Sequence, residues 1–192
     1  MSDFGQDLRR WKDRAWRPTG AQPSPLPLGA RDVLVLFWRH AAVTATAIYR
    51  MSAWCHRHHV RGLPTILERL NLMCFGLDIS SGVPIGPGLY IAHPVGTVIM
   101  AERVGANASF IAAITVGMRE THEFPVLGNG VMIGAGARVL GAITLGDGCT
   151  VGANAVVIAD VPAGATAVGV PARIIPAGRK ATVEVLPRAV ER

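Results

Sequence analysis

The chain has 192 residues, half of them hydrophobic but only 6% aromatic, with 22 glycines and a formal charge of +6. That length can bury a sizeable core and predicts one main domain with appendages, and a core short of rings must be filled by small and β-branched groups. The charge argues against a nucleic-acid partner: +5 falls in residues 1–60, +1 in 61–77, −2 in 78–175 and +2 in 176–192, so the longest segment is slightly acidic.

Residues 1–30 mix Arg, Trp, Gly and Pro and end in Pro23-Ser24-Pro25-Leu26-Pro27, which predicts a largely irregular basic arm. A solvated face is the simple account of its charge, and peripheral contact with an anionic membrane surface is left open. A helical segment over 31–77 follows. Arg31 to about His59 contains neither Gly nor Pro, and Pro64 suits the first turn of a second helix. Trp38, Tyr49 and Trp54 read as core or interface contacts.

The apolar stretch 33–54 contains Arg39, His40 and Arg50, which suits a spanning helix poorly, and no signal-peptide pattern precedes it. A soluble, cytoplasmic protein is expected. Cys55, Cys74 and Cys149 are odd in number and lack metal spacing, so reduced thiols are expected. The run Cys55-His56-Arg57-His58-His59 would point around a helix rather than converge, and reads as a basic helix end. No metal is expected.

After Gly76 the dominant signal is internal repetition. Ile79, Ile85 and Ile91 are spaced by six; after a one-residue insertion Val98, Val104, Phe110 and Val116 continue, and beyond a break so do Leu127, Ile133, Val139, Leu145, Val151 and Val157. A period of six fits neither a helix nor a simple strand. It fits a short strand plus a tight corner, with the aliphatic residue inward and a small residue at the bend, three sides to a coil. Residues 118–126 interrupt the repeat and should project as a loop, and residues 176–192 form a C-terminal tail.

The motifs Ile85-Gly86-Pro87-Gly88, His93-Pro94-Val95-Gly96, Ile114-Thr115-Val116-Gly117, Val131-Met132-Ile133-Gly134-Ala135-Gly136-Ala137 and Val168-Gly169-Val170-Pro171-Ala172-Arg173, with Asp78-Ile79, together resemble serine O-acetyltransferases of the hexapeptide-repeat acyltransferase superfamily. The resemblance covers about half the chain. It implies a mainly β fold, a left-handed parallel β-helix over 78–175 behind the helical segment; the handedness comes from the resemblance, since the general crossover rule would give the other hand. It also implies acetyl-CoA as co-substrate with no permanently bound cofactor, and a homotrimer, with a dimer of trimers as a further option.

The resemblance places the catalytic base on His93 and its carboxylate partner on Asp78, fifteen residues earlier and so close to one coil away. Such a pair is what the chemistry needs, because a hydroxyl attacks a thioester only when its proton is accepted, and a carboxylate fixes the imidazole tautomer and stabilises the imidazolium. The backbone N–H near Gly117, which also reads as a corner glycine, matches the family's oxyanion donor. Gly117, Ala135, Ala153 and 169–173 match a groove for the pantetheine arm, with Arg173 or Lys180 placed to meet phosphate.

The acceptor side departs from the family. Ala92 stands where serine acetyltransferases carry an Asp before the catalytic His, and Thr121-His122-Glu123-Phe124-Pro125 replaces their Arg-His-Pro. Two ionic handles for an amino acid are missing, with His122 retained and Arg119, Glu120 or Glu123 as substitutes from other backbone positions. A sugar or polysaccharide hydroxyl is therefore slightly favoured as acceptor over serine. A silent scaffold is disfavoured by the retained Asp78 and His93. A γ-carbonic-anhydrase-like metal site would need three convergent His, and only His93 and His122 lie in the repeat.

Overall fold

The computed structural model describes residues 3–12 and 28–178. Four helices come first: α1 (Asp3–Lys12), α2 (Ala30–Arg39), α3 (Ala41–Arg57) and α4 (Leu63–Phe75). Fourteen short strands follow among the described residues. These are β1 (Leu77–Ile79), β2 (Tyr90–His93), β3 (Thr97–Ile99), β4 (Arg103–Val104), β5 (Ser109–Ala112), β6 (Thr115–Gly117) and β7 (Val126–Leu127). They continue with β8 (Met132–Ile133), β9 (Arg138–Leu140), β10 (Thr144–Leu145), β11 (Thr150–Val151), β12 (Val156–Val157), β13 (Thr166–Val168) and β14 (Arg173–Ile175).

The strands stack into three parallel faces, β1-β3-β6-β9-β12, β4-β7-β10 and β2-β5-β8-β11-β13, with β14 turning back antiparallel on β13. This is a parallel β-helix of about five turns, as the period of six implied. Each face turns two side chains inward: Ala108 with Phe110, Val131 with Ile133, Ala137 with Val139 and Cys149 with Val151 are all fully buried. Each such aliphatic side chain contributes about 1.5–3 kcal/mol by leaving water. Corners stack so closely that a Cβ on Gly105 would sit 2.5 Å from the Gly128 carbonyl carbon, which explains the glycine after the inward residue.

One repeat position differs from expectation. Ile99 is fully buried, whereas Val98 faces outward beside Asp78 and Thr115. Ile79, Ile85 and Ile91 keep the spacing of six, but the corner at 93–96 adds length, so that eight residues separate the buried Ile91 from the buried Ile99. Counting six from Ile91 with one insertion therefore lands one residue short, on the wrong face of the pleat.

The helical segment also differs. Arg31 to His59 is two helices, not one, broken at His40, whose backbone is extended (φ −131°, ψ 100°). The His40 ring packs on Trp11 at 4.8 Å, and Leu8, Trp11, Leu36 and Val43 form a second small core. Of the three aromatics read as core or interface contacts, Tyr49 is buried, with its hydroxyl donating to the Val83 carbonyl at 2.7 Å. Trp38 and Trp54 are exposed on the described surface.

The arm is not irregular over its described residues. α1 is anchored on the first coils by Asp7, buried against the Arg50 guanidinium, and by Arg10, which donates to the Gly88 and Ala108 carbonyls at 2.7 and 3.1 Å. Arg10 and Lys12 thus face the protein, Lys12 through Asp32 at 2.8 Å, which removes them from a membrane-contacting face. Among the described residues no helix is long and apolar enough to cross a membrane, and no group of three or more His, Cys, Asp or Glu could hold a metal.

Candidate active site

His93 ends β2 and is exposed at the corner that leads into β3. The corner is braced from both sides: the Thr97 hydroxyl donates to the His93 carbonyl at 3.3 Å, and the Gly96 N–H donates to the Gly76 carbonyl at 3.0 Å. Gly76 takes a left-handed conformation (φ +64°), and a Cβ there would lie 3.2 Å from the Val95 Cα, so a side chain would push the corner away. Asp78 follows two residues later on β1, half-buried and turned outward between the inward Leu77 and Ile79. His93 and Asp78 consequently share one edge of the solenoid. They lie within a single twenty-residue turn rather than on successive coils, and among the described residues the two side chains make no hydrogen bond or ion pair with each other.

Above His93 the same edge continues as a column of small corner residues. His93 registers with Ala112. The Gly136 N–H donates to the Ala112 carbonyl, the Asn154 N–H to the Ala135 carbonyl and the Val156 N–H to the Gly169 carbonyl, at 2.8, 2.8 and 3.0 Å. Ala135, Ala153 and the turn before Arg173 are therefore stacked on the His93 edge over four inter-strand steps of about 4.8 Å, roughly 19 Å in all. Arg173 is exposed at the start of β14, opposite Val168. Lys180 lies outside the described residues.

The remaining candidates sit elsewhere. Gly117 ends β6 at the opposite edge of the face, five residues past the register partner of His93 and beyond the corner at Ala113, with the three residues of β6 spanning the face between the two edges, on the order of 10 Å. The interrupting loop leaves from that edge and rejoins the ladder at Val126, one residue sooner than expected. In it Arg119 pairs with Glu120 at 3.2 Å, the Thr121 hydroxyl donates to Glu123 at 2.9 Å, and His122 is exposed. Ala92 stays beside His93, half-buried on β2. One chain thus gathers His93, Asp78, Ala92, Ala135, Ala153 and Arg173 along one edge, and carries Gly117, Arg119 and His122 on another.

Sequence reading missed Arg138. Its Nη1 donates to the carbonyls of Ala113, Gly136 and Ala137 at 2.6, 3.0 and 3.2 Å, clamping two successive corners of the His93 column. The signal was available: Arg138 is the single charged residue between Glu123 and Asp147.

The "Bacterial transferase hexapeptide (six repeats)" profile matches residues 124–159. A serine acetyltransferase of Helicobacter pylori (strain J99) is 37% identical over 160 residues, 80% of this chain and 91% of that protein. A solved structure of soybean serine acetyltransferase complexed with serine superposes with a TM-score of 0.76 at 31% identity, over 90% of this chain and 68% of that one. A serine acetyltransferase in complex with CoA superposes with a TM-score of 0.72 at 28% identity, over 90% and 68%. These relatives do not support the preference for a carbohydrate acceptor drawn from Ala92 and Thr121 and fit the serine alternative better, because that inference weighed two single positions and not the chain as a whole. By its repeat, its fold and its likeness across nearly the whole of a relative, the chain is an acyltransferase and belongs to the serine acetyltransferase family.

Proposed function

We propose that the chain transfers the acetyl group of acetyl-CoA to the hydroxyl of L-serine, with His93 as general base and Asp78 as the group that orients it. The carrying observation is the single edge on which His93, Ala135, Ala153 and the turn before Arg173 are stacked, since a long thin thioester donor can lie along it with its reactive carbon at His93. His93 takes the hydroxyl proton as the oxygen attacks the thioester carbonyl; the tetrahedral oxyanion is met by the N–H at Gly117; the intermediate collapses, the C–S bond breaks, and the CoA thiolate recovers the proton from the imidazolium. Arg119, Glu120 and Glu123 offer both signs of charge for an amino-acid acceptor in the absence of a carboxylate at position 92 and an Arg at position 121. Steady-state kcat/KM values, read by free-thiol release with serine and a panel of sugars and oligosaccharides, test the reading. Serine is expected as the efficient acceptor, and transfer to carbohydrate alone would overturn it.

The two edges imply assembly. Because Gly117 and the loop leave the opposite edge of the face from His93, the complete site on this reading forms where one subunit's loop edge meets a neighbour's His93 edge, as closed cyclic packing of three solenoids would arrange. Gly117 supports this. It is the one inward-neighbouring glycine here with no steric reason to be glycine: a Cβ on it would meet nothing within 4 Å, whereas one on Gly134 would meet the Ala153 nitrogen at 2.7 Å. Gly117→Ala is therefore expected to leave the melting temperature unchanged and to lower kcat at least tenfold, because the new methyl occupies space that the assembled site needs. Unchanged turnover, or a fully active monomer by mass measurement in solution, would remove this arrangement.

A further inference from the structure

A cleft of about 360 Å³ lies between the C-terminal half of α3 and the first coil, at a different corner of the solenoid from the chain's own His93. Tyr49, Val83 and Ile85, all buried, form its apolar walls, while His56, Arg57 and Arg103 line it with cationic or ionisable groups. The His56 imidazole stands over the turn at 80–82, with Nε2 3.8 Å from where a Cβ on Gly82 would be. No carboxylate lines the cleft. Of the acids nearby, Asp7 is held by Arg50, Asp3 stands 3.9 Å from Arg50 outside the cleft, the Glu68 carboxylate accepts the Ser81 N–H, and Glu102, next to Arg103 in sequence, makes no ion pair among the described residues. Arg50, which also borders the cleft, is spent on Asp7 and on the Ile85 and Gly86 carbonyls. Arg57 and Arg103 have no hydrogen-bonded or ionic partner among the described residues.

A helix C-terminus attracts cations by itself, which would account for His56 and Arg57. It does not account for Arg103, which arrives from β4 on the solenoid to face the same space. Two unpaired guanidiniums and an imidazole at the rim of an open, largely apolar cleft at the small end of ligand-site volumes describe a receptor for a compact anion with an apolar body. We propose that this cleft binds a small organic anion, a carboxylate or phosphate monoester carrying a short apolar group, whose charged end lies between Arg57 and Arg103 and whose body lies against Tyr49 and Val83. Such a ligand bridges α3 and the solenoid.

Calorimetric titration of the full chain with phenyl phosphate, with benzyl alcohol as the uncharged counterpart, tests the proposal. Saturable binding of phenyl phosphate is expected, weakening as salt is raised, persisting with CoA at saturation and in His93→Ala, with benzyl alcohol at least tenfold weaker. Arg57→Ala/Arg103→Ala should lower the affinity at least tenfold, and both side chains are exposed, so the melting temperature of the unliganded protein should hold. No saturable binding by the wild type, equal binding of benzyl alcohol, displacement by CoA, or an unchanged affinity in the double variant would each overturn it. The outcome is independent of the acceptor, because none of these measurements involves acetyl transfer.

Discussion

Replacing His93 with alanine is expected to slow acetyl transfer by about 10²–10⁴-fold, the range for loss of a general base, with no change in melting temperature. The side chain is exposed and makes no hydrogen bond among the described residues, so its removal opens no cavity and orphans no partner. The corner that carries it is held by backbone: Gly96 on Gly76 below, Thr97 on the His93 carbonyl, and Arg138 clamping the next corners above. KM for acetyl-CoA should stay near the wild-type value, because the column of Ala135 and Ala153 is untouched, so the loss should fall on kcat. Asp78→Ala should act in the same direction and less steeply, since an orienting carboxylate does not itself accept the proton. A His93→Ala protein with near-normal turnover would end the assignment of the base. A variant that lost activity together with its melting transition would instead make His93 a structural residue.

The solenoid was legible because its rule is strictly local: one inward aliphatic and one small residue for every short strand and corner. Where the rule holds, as from Leu127 to Val157, period and structure agree residue by residue. It fails at Val98, where the corner at 93–96 puts eight residues between Ile91 and Ile99, and only the observed pairing of Asp78 with Val98 and Ile79 with Ile99 reveals the shift. His40 was illegible for another reason. Nothing in 31–59 forbids one long helix, and the break appears only with the tertiary contact between His40 and Trp11, two segments far apart in sequence. On the site side, the resemblance supplied His93, Asp78 and the small residues, and geometry then sorted them onto two edges. That sorting could not be read from spacing, because residues in one chain can belong to two different half-sites.

The helical cap shows how far composition can mislead, since a charged, Pro-ending arm supplies one half of the most deeply buried ion pair among the described residues. Asp7 is 1% exposed and accepts from Arg50 Nε at 2.8 Å, Arg50 Nη2 at 3.1 Å and the Leu89 N–H at 2.7 Å. Arg50 in turn donates to the Ile85 and Gly86 carbonyls, both at 2.7 Å, so the pair joins α1, α3 and the first coil. Asp7→Ala removes the carboxylate and leaves behind a buried N–H without its acceptor and a guanidinium that is 12% exposed, whose remaining carboxylate, the half-exposed Asp3, is 3.9 Å away. Breaking one side of such a pair costs about 3–5 kcal/mol, and for a domain of this size that lowers the melting temperature by about 6–20 °C. Asp7→Asn keeps an acceptor for Leu89 and should cost less. The decisive comparison is Asp7→Ala/Arg50→Met: removing both charges abolishes the orphaned cation, so the double variant is expected to be more stable than Asp7→Ala alone despite carrying one more substitution. Thermal unfolding of the wild type, Asp7→Ala, Arg50→Met and the double variant measures this directly. A double variant whose loss equals the sum of the two single losses would mean that Asp7 and Arg50 act independently, and that α1 is held by its apolar contacts through Leu8 and Trp11 instead.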